Sequence, residues 1–251
     1  MNELPQRAGS LPQVLAPVGI PAAGAAAEAP RHAALVRLTH WATTFSFFGL
    51  LVSGIAILLA HPRLYWGETG AAGGPALVEL PLPTILTGQS GWGRSLHFLT
   101  AWIAVLTGLL YVTWGVSTRH FERHLWLDRH ELSWRTFGPV LAEHVRLQRP
   151  AAGTRLSYNA LQRLAYCTVV FVLFPLMIWT GFAMSPAITS VFPWIVIVAG
   201  GQQSARTIHF FDAAILVIFL CVHIVMVCLG GFLPRMRAMV TGRTTVQTVN
   251  L

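Results

Sequence analysis

Four apolar runs, at about 38–60, 95–116, 161–183 and 207–230, each approach the roughly 20 residues that an α-helix needs to cross a hydrocarbon core. Few architectures are open to such a chain, because inside lipid every backbone N–H and C=O must be paired within its own segment or within a closed barrel. The runs are continuous rather than alternating, so helices are predicted, and the fold class is an all-α integral membrane four-helix bundle. Composition agrees. Hydrophobic residues make up 54% of the 251 residues and charged residues 10%, well under the roughly 25% of an average soluble domain. Two shorter stretches, 76–87 and 191–200, are too short and too rich in proline to cross, and are predicted to lie at the interface as loops.

The placement of charge orients the bundle. All 17 basic residues are arginine, against 9 acidic residues, giving a formal charge of +8. In a polytopic chain this excess marks loops that face the cytoplasm rather than nucleic acid. Arg7, Arg31 and Arg37 precede the first run, eight arginines lie between Arg119 and Arg163, and Arg235, Arg237 and Arg243 follow the last. The loops 61–94 and 184–206 hold only Arg63, Arg94 and Arg206. Both termini are therefore expected on the cytoplasmic side, with the two arginine-poor loops outside. Residues 1–30 lack the basic start and compact apolar block of a signal peptide and read as a disordered tail. One domain is expected over 31–242, followed by a short tail, 243–251. The segment "LSWRTFGPVLAEHVRL" in the long inner loop reads equally as an amphipathic surface helix or a charged connector.

Two histidines and an aspartate sit where lipid penalises them, in "RTIHFFDAAILVIFLCVHIVMV". His209 and His223 are fourteen residues apart, which is about 21 Å of rise and just under four turns at 3.6 residues per turn, so they share a face at two depths. Each needs a partner from another helix at the same depth. The first run enters from the inside and offers His40; the second enters from the outside and offers His97; the third has none. The pairs are then His97 with His209 at the outer level and His40 with His223 at the inner level. Such pairs suit two stacked haems with bis-histidine ligation.

Three of the four histidines follow an arginine by three residues: Arg37 in "RLTHW", Arg94 in "RSLHF" and Arg206 in "RTIHF". An arginine one turn nearer the surface suits a haem propionate. Gly54, fourteen residues after His40, and Gly108, eleven after His97, put small residues at the level of the opposite haem, though helix packing also accounts for membrane glycines. A lone histidine near a membrane surface is ordinarily a snorkelling side chain, and His32, His61, His120, His124, His130 and His144 are read that way. Four at matching depths favour two haem b. Asp212 reads either as an ion-pair partner of Arg94 or Arg206, the favoured expectation, or as a group that passes protons near the outer haem. Cys167, Cys221 and Cys228 form no haem-attaching or cluster spacing, so covalent haem and iron–sulfur clusters are not expected.

In the segments "HPRLYWGETG", "GQSGWGRSLHF", "YNALQRLAY" and "GGQQSARTIHF", together with the fourteen-residue histidine spacing, the chain resembles the bacterial di-haem b-type cytochromes. These are membrane subunits of nickel–iron hydrogenases, formate dehydrogenases and thiosulfate reductases, and the thiosulfate-reductase-like branch is the most similar in these segments. The resemblance covers residues 32–242. It implies a four-helix cytochrome that carries electrons between a membrane quinone and a periplasmic catalytic subunit, of molybdopterin or hydrogenase type. It also implies iron ligation by His40, His97, His209 and His223. No nucleotide-binding glycine motif or nucleophile–base pair suggests chemistry beyond electron transfer. Two alternatives stay open: a stand-alone quinone reductase taking electrons from a small soluble donor, and a transporter or anchor using histidines for a metal ion or protons.

Overall fold

The computed structural model describes residues 32–68, 74–85, 91–125 and 160–243. Four helices in it are long and apolar enough to cross a membrane: Ala34–Ala60, Trp92–Ser117, Leu161–Ala183 and Gln202–Leu229. We call Ala34–Ala60 α1, Trp92–Ser117 α2 and the short His120–His124 α3. The third span comprises α4 (Ala160–Thr168), a π-turn (Val169–Leu173) and α5 (Phe174–Ala183). Short helices α6 (Pro186–Thr189) and α7 (Trp194–Val198) lead into α8 (Gln202–Leu229), and α9 (Phe232–Thr241) follows it. Each span starts at or before its apolar run, by up to five residues for α8, so Arg37, Arg94 and Arg206 lie within helices. The N-terminal tail and the segment "LSWRTFGPVLAEHVRL" fall outside the described residues.

Small residues explain how α1 and α2 pack. The buried positions of α1 are Thr39, Ser46, Ser53 and Ala60, every seventh residue, and those of α2 include Gly93 and Thr100. Small side chains let two helix backbones approach where lipid offers no hydrophobic drive. A side chain at Gly49 would meet the Thr100 methyl at 2.6 Å. The buried hydroxyls are satisfied within their own helices: Thr39 donates to Leu35 O at 2.9 Å, Ser46 to Ala42 O at 2.8 Å and Thr100 to Leu96 O at 2.7 Å.

The third span packs against α8 in the same direct way. Its π-turn lies immediately before Pro175, and Phe174 N–H reaches back to Val169 O. Proline has no N–H and its ring crowds the carbonyl four residues earlier, so a widened turn relieves the clash. The α1–α2 pair and the third span–α8 pair face one another with little close backbone contact between them.

Clasps at both ends hold the two pairs. At one end, β1 (Arg63–Leu64) and β2 (Val78–Glu79) form an antiparallel hairpin, with Arg63 opposite Glu79. The Arg63–Glu79 ion pair, at 2.8 Å, is exposed. The hydrogen bond and charge of Glu79 raise the Arg63 pKa further. Beyond the hairpin, Gly67 caps α8: its carbonyl accepts from Gln203 N at 3.0 Å and Ser204 N at 3.4 Å, and its N–H donates to Ser204 Oγ at 2.8 Å. Free N–H groups at a helix start need such acceptors. Thr207 Oγ1 donates to Tyr65 O at 2.6 Å. Gly201, at φ +106°, abuts the Gly67 backbone, so neither its conformation nor its space accepts a side chain. At the opposite end α9 folds back onto α1, where Arg37 Nη1 donates to Val240 O at 2.9 Å and Trp41 Nε1 to Met239 O at 3.2 Å.

Candidate functional site

The space between the two helix pairs is crossed by the four histidines. The rings of His97 on α2 and His209 on α8 have centroids 6.3 Å apart, towards the hairpin end. Those of His40 on α1 and His223 on α8 are 6.4 Å apart, towards the opposite end. These separations test whether a haem fits. A histidine nitrogen lies about 2.0–2.1 Å from a bound transition metal, with the ring centre about 1.1 Å behind it, so rings on opposite sides of one iron have centroids about 6.3 Å apart. Both pairs match that distance.

At the hairpin-end pair the neighbouring helices set the tautomer. Ser53 Oγ lies 3.1 Å from His97 Nδ1, and Thr180 Oγ1 lies 2.9 Å from His209 Nδ1. Each hydroxyl proton is already engaged, since Ser53 donates to Gly49 O at 2.6 Å and Thr180 to Leu176 O at 2.8 Å. The hydroxyl oxygen must therefore accept, and the imidazole Nδ1–H donates. Nδ1 carries the proton in both rings, so Nε2 presents its lone pair to the gap. A metal-bound histidine is held by such outer partners.

Glycine follows each hydroxyl residue. A Cβ at Gly54 would lie 3.6 Å from His97 Cε1, and one at Gly181 would lie 3.7 Å from His209 Cε1. Gly54 thus stands at the level of the pair to which its own helix contributes no ligand, and larger side chains there would press on the imidazole. Nothing lies within 4 Å of a Cβ built at Gly108.

The other pair is walled by rings. Phe219 stacks on His223 with centroids 5.9 Å apart, Tyr166 meets the same ring edge-on at 6.3 Å, and Trp41 meets His40 at 5.4 Å. His40 Nδ1 is buried and has no hydrogen-bond partner. Unpaired buried nitrogens are unusual, and no hydroxyl stands at this one as Ser53 and Thr180 do in the other pair.

The arginines are only partly as expected from the sequence. Arg37 is bound to Val240 O, yet its Nε is buried without a partner. Arg206 donates to the carbonyl of His61 just beyond α1. Arg94 lies 5.9 Å from the centre of the Phe98 ring. A guanidinium has five N–H donors, so Arg37 and Arg206 retain donors beside these frame contacts. Asp212 does not make the arginine pair favoured from the sequence: it is 2% exposed, makes no ion pair with Arg94 or Arg206, and leaves both carboxyl oxygens unpartnered. Ser53, Thr180, Gly181, Tyr166 and Phe219 were absent from the sequence reading. The available signal was the hydroxyl–glycine dipeptide, Ser53–Gly54 and Thr180–Gly181, near the hairpin end of two spans. Among the described residues no three His, Cys, Asp or Glu side chains group as a metal site.

Comparison with known proteins gives the same direction. A protein of Azospira oryzae provisionally named protein-methionine-sulfoxide reductase subunit YedZ1 is 30% identical over 217 residues, covering 84% of this chain and 96% of the relative. Two proteins provisionally named Ni/Fe-hydrogenase B-type cytochrome subunit are also similar. The one from Bradyrhizobium diazoefficiens is 25% identical over 75% of this chain and 73% of its own length, and the one from Cupriavidus necator is 26% identical over 75% and 74%. No solved structure matches. The family model described as prokaryotic cytochrome b561 matches residues 31–242, all four spans included. The chain is a multi-pass membrane electron-transport protein of haem b type and belongs to the prokaryotic cytochrome b561 family.

Proposed function

We propose that this chain is a di-haem cytochrome b that carries electrons between the quinone pool and a catalytic redox subunit on the outer face of the bacterial inner membrane. The observation that carries this reading is the pair of ring separations, 6.3 Å for His97–His209 and 6.4 Å for His40–His223, on one helix at two depths. The outer haem is held by His97 and His209, and the inner by His40 and His223. Bound haem supplies a one-electron iron couple. The chain's own residues do the rest: Ser53 and Thr180 orient the outer imidazoles, the Phe219, Tyr166 and Trp41 rings keep water from the inner ones, and Gly54, Gly181 and Gly108 leave room for the macrocycles. Arg37, Arg94 and Arg206, one turn from three of the ligands, bring positive charge to the propionates.

The arginine distribution supports cytoplasmic termini, which puts the hairpin end outside. The relatives' names, a reductase subunit and hydrogenase cytochrome subunits, support a separate catalytic partner; in our reading it is of molybdopterin or hydrogenase type and docks on that outer face. Electron transfer as a subunit, rather than substrate chemistry of its own, is the role. A redox difference spectrum of native membranes, followed by affinity purification in mild detergent, tests the reading. A cytochrome b signature with a stoichiometric redox partner is expected. A protein without a Soret band would be a transporter or anchor instead, and a competent cytochrome that always purifies alone would be a stand-alone quinone reductase.

A further inference from the structure

Asp212 does not lie alone in the bundle. It lines a cavity of about 240 Å³ formed where the third span, α8 and the hairpin loop meet, with Leu173, Leu176, Phe211, Ile215 and Trp66 around it. The exposed wall is almost wholly apolar, and the Asp212 carboxyl group stands directly behind it with its oxygens covered. Phe211, Ile215 and Trp66 are each about half exposed, so the cavity borders the lipid-facing surface. Thr207, also in the wall, has its hydroxyl committed to Tyr65 O. Leu173 ends the π-turn, a local widening often found at functional sites.

Both oxygens of Asp212 are buried without a partner. A buried polar group left unpaired is penalised by several times the value of an ordinary hydrogen bond, so a partner from outside the chain is the natural completion. The chemistry of the wall selects that partner. An acyl chain has no polar atom to offer the carboxyl group. A phospholipid headgroup is anionic or zwitterionic and needs water, which this apolar wall excludes. A flat, neutral ring with a hydroxyl at its edge meets both demands, burying its faces against leucine and phenylalanine while hydrogen bonding to Asp212.

We propose that this cavity binds the ring of a quinol, entering sideways from the bilayer, with Asp212 as its hydrogen-bonding partner. The inference rests on the quinone-linked reading above and gives it a place: Asp212 lies one turn from His209, about 4.5 Å further along α8, so the site serves the outer histidine pair rather than the inner one.

The test uses the haem-loaded protein in nanodiscs, held reduced, and a short-tailed azidobenzoquinol, photolysed and mapped by mass spectrometry, with decylubiquinol as competitor. Adducts are expected on Trp66 or on residues 208–215, suppressed by decylubiquinol. They should fall about tenfold in Asp212→Leu, since the hydrogen bond from the ring hydroxyl is lost, and in Ile215→Trp, which fills the cavity. Asp212→Asn keeps a polar group and serves if the leucine variant does not assemble. Adducts elsewhere, such as beside His40 and His223, or adducts here that are indifferent to both Asp212→Asn and Ile215→Trp, would overturn the assignment. Reduction of the wild-type haems by decylubiquinol is followed separately. If it occurs without labelling here, only the site is wrong; if it never occurs, the quinone-linked reading fails as well.

Discussion

Ser53 Oγ stands 3.1 Å from Nδ1 of His97 while its own proton points to Gly49 O, so the serine receives the imidazole proton. Thr180 does the same for His209 at 2.9 Å. Two helices that supply no ligand to this level thereby fix the tautomer of both rings. Loss of an outer partner typically weakens metal binding by about 10–100-fold. Ser53→Ala should therefore loosen the outer haem by about tenfold, measured as haem retained on dilution in detergent, and Ser53→Thr should restore it. Equal loosening of both haems in Ser53→Ala would show a general packing defect instead.

The pairing makes a separate prediction. His40→Ala and His223→Ala should abolish, or convert to high spin, the same one of two haem signals in electron paramagnetic resonance. His97→Ala and His209→Ala should affect the other. A signal shared between His40→Ala and His209→Ala would contradict the pairing.

Gly201 should not tolerate a side chain. Its φ of +106° and its contact with the Gly67 backbone place it where Ala is strained, at about 1–3 kcal/mol for such a backbone. Gly201→Ala is expected to release the hairpin loop from α8, seen as new proteolytic cleavage between Arg63 and Glu68, with Gly200→Ala as the comparison at φ +78° without that backbone contact. Unchanged cleavage would mean that the clasp yields elsewhere.

Much of this was legible in the sequence because both hydropathy and helical rise are local. Spans emerge from run length, and the His209–His223 interval sets two depths whatever surrounds the helix. The positions of His40 and His97 then follow from the direction in which each helix enters. What sequence reasoning missed depends on how neighbouring helices are rotated about their axes. Ser53 and Thr180 look like ordinary small residues of membrane helices until α1 and α5 are placed beside the histidines. The hairpin strands are two residues each, too short for any alternation to show. Arg63 and Glu79 are sixteen residues apart, and only the register joins them. The favoured expectation for Asp212 was an arginine, on charge alone; Arg206 turns to the His61 carbonyl and Asp212 lies behind the wall of a cavity.

Orientation is open to a direct check. A reporter active only outside the cytoplasm should work when fused after Pro75 and stay silent when fused after Arg146 or Leu251, as the arginine distribution requires. The reverse pattern would place the hairpin end inside and put the catalytic partner on the cytoplasmic face.

The central claim is that each histidine pair holds one haem. A pyridine haemochrome assay on the purified chain, set against its amino-acid-determined concentration, measures this most directly. Two haem b per polypeptide, both low-spin because imidazole fills both axial positions, is the expected result. A ratio of one or none in fully folded protein would contradict it, since the 6.3 Å and 6.4 Å pairs would then have no common purpose.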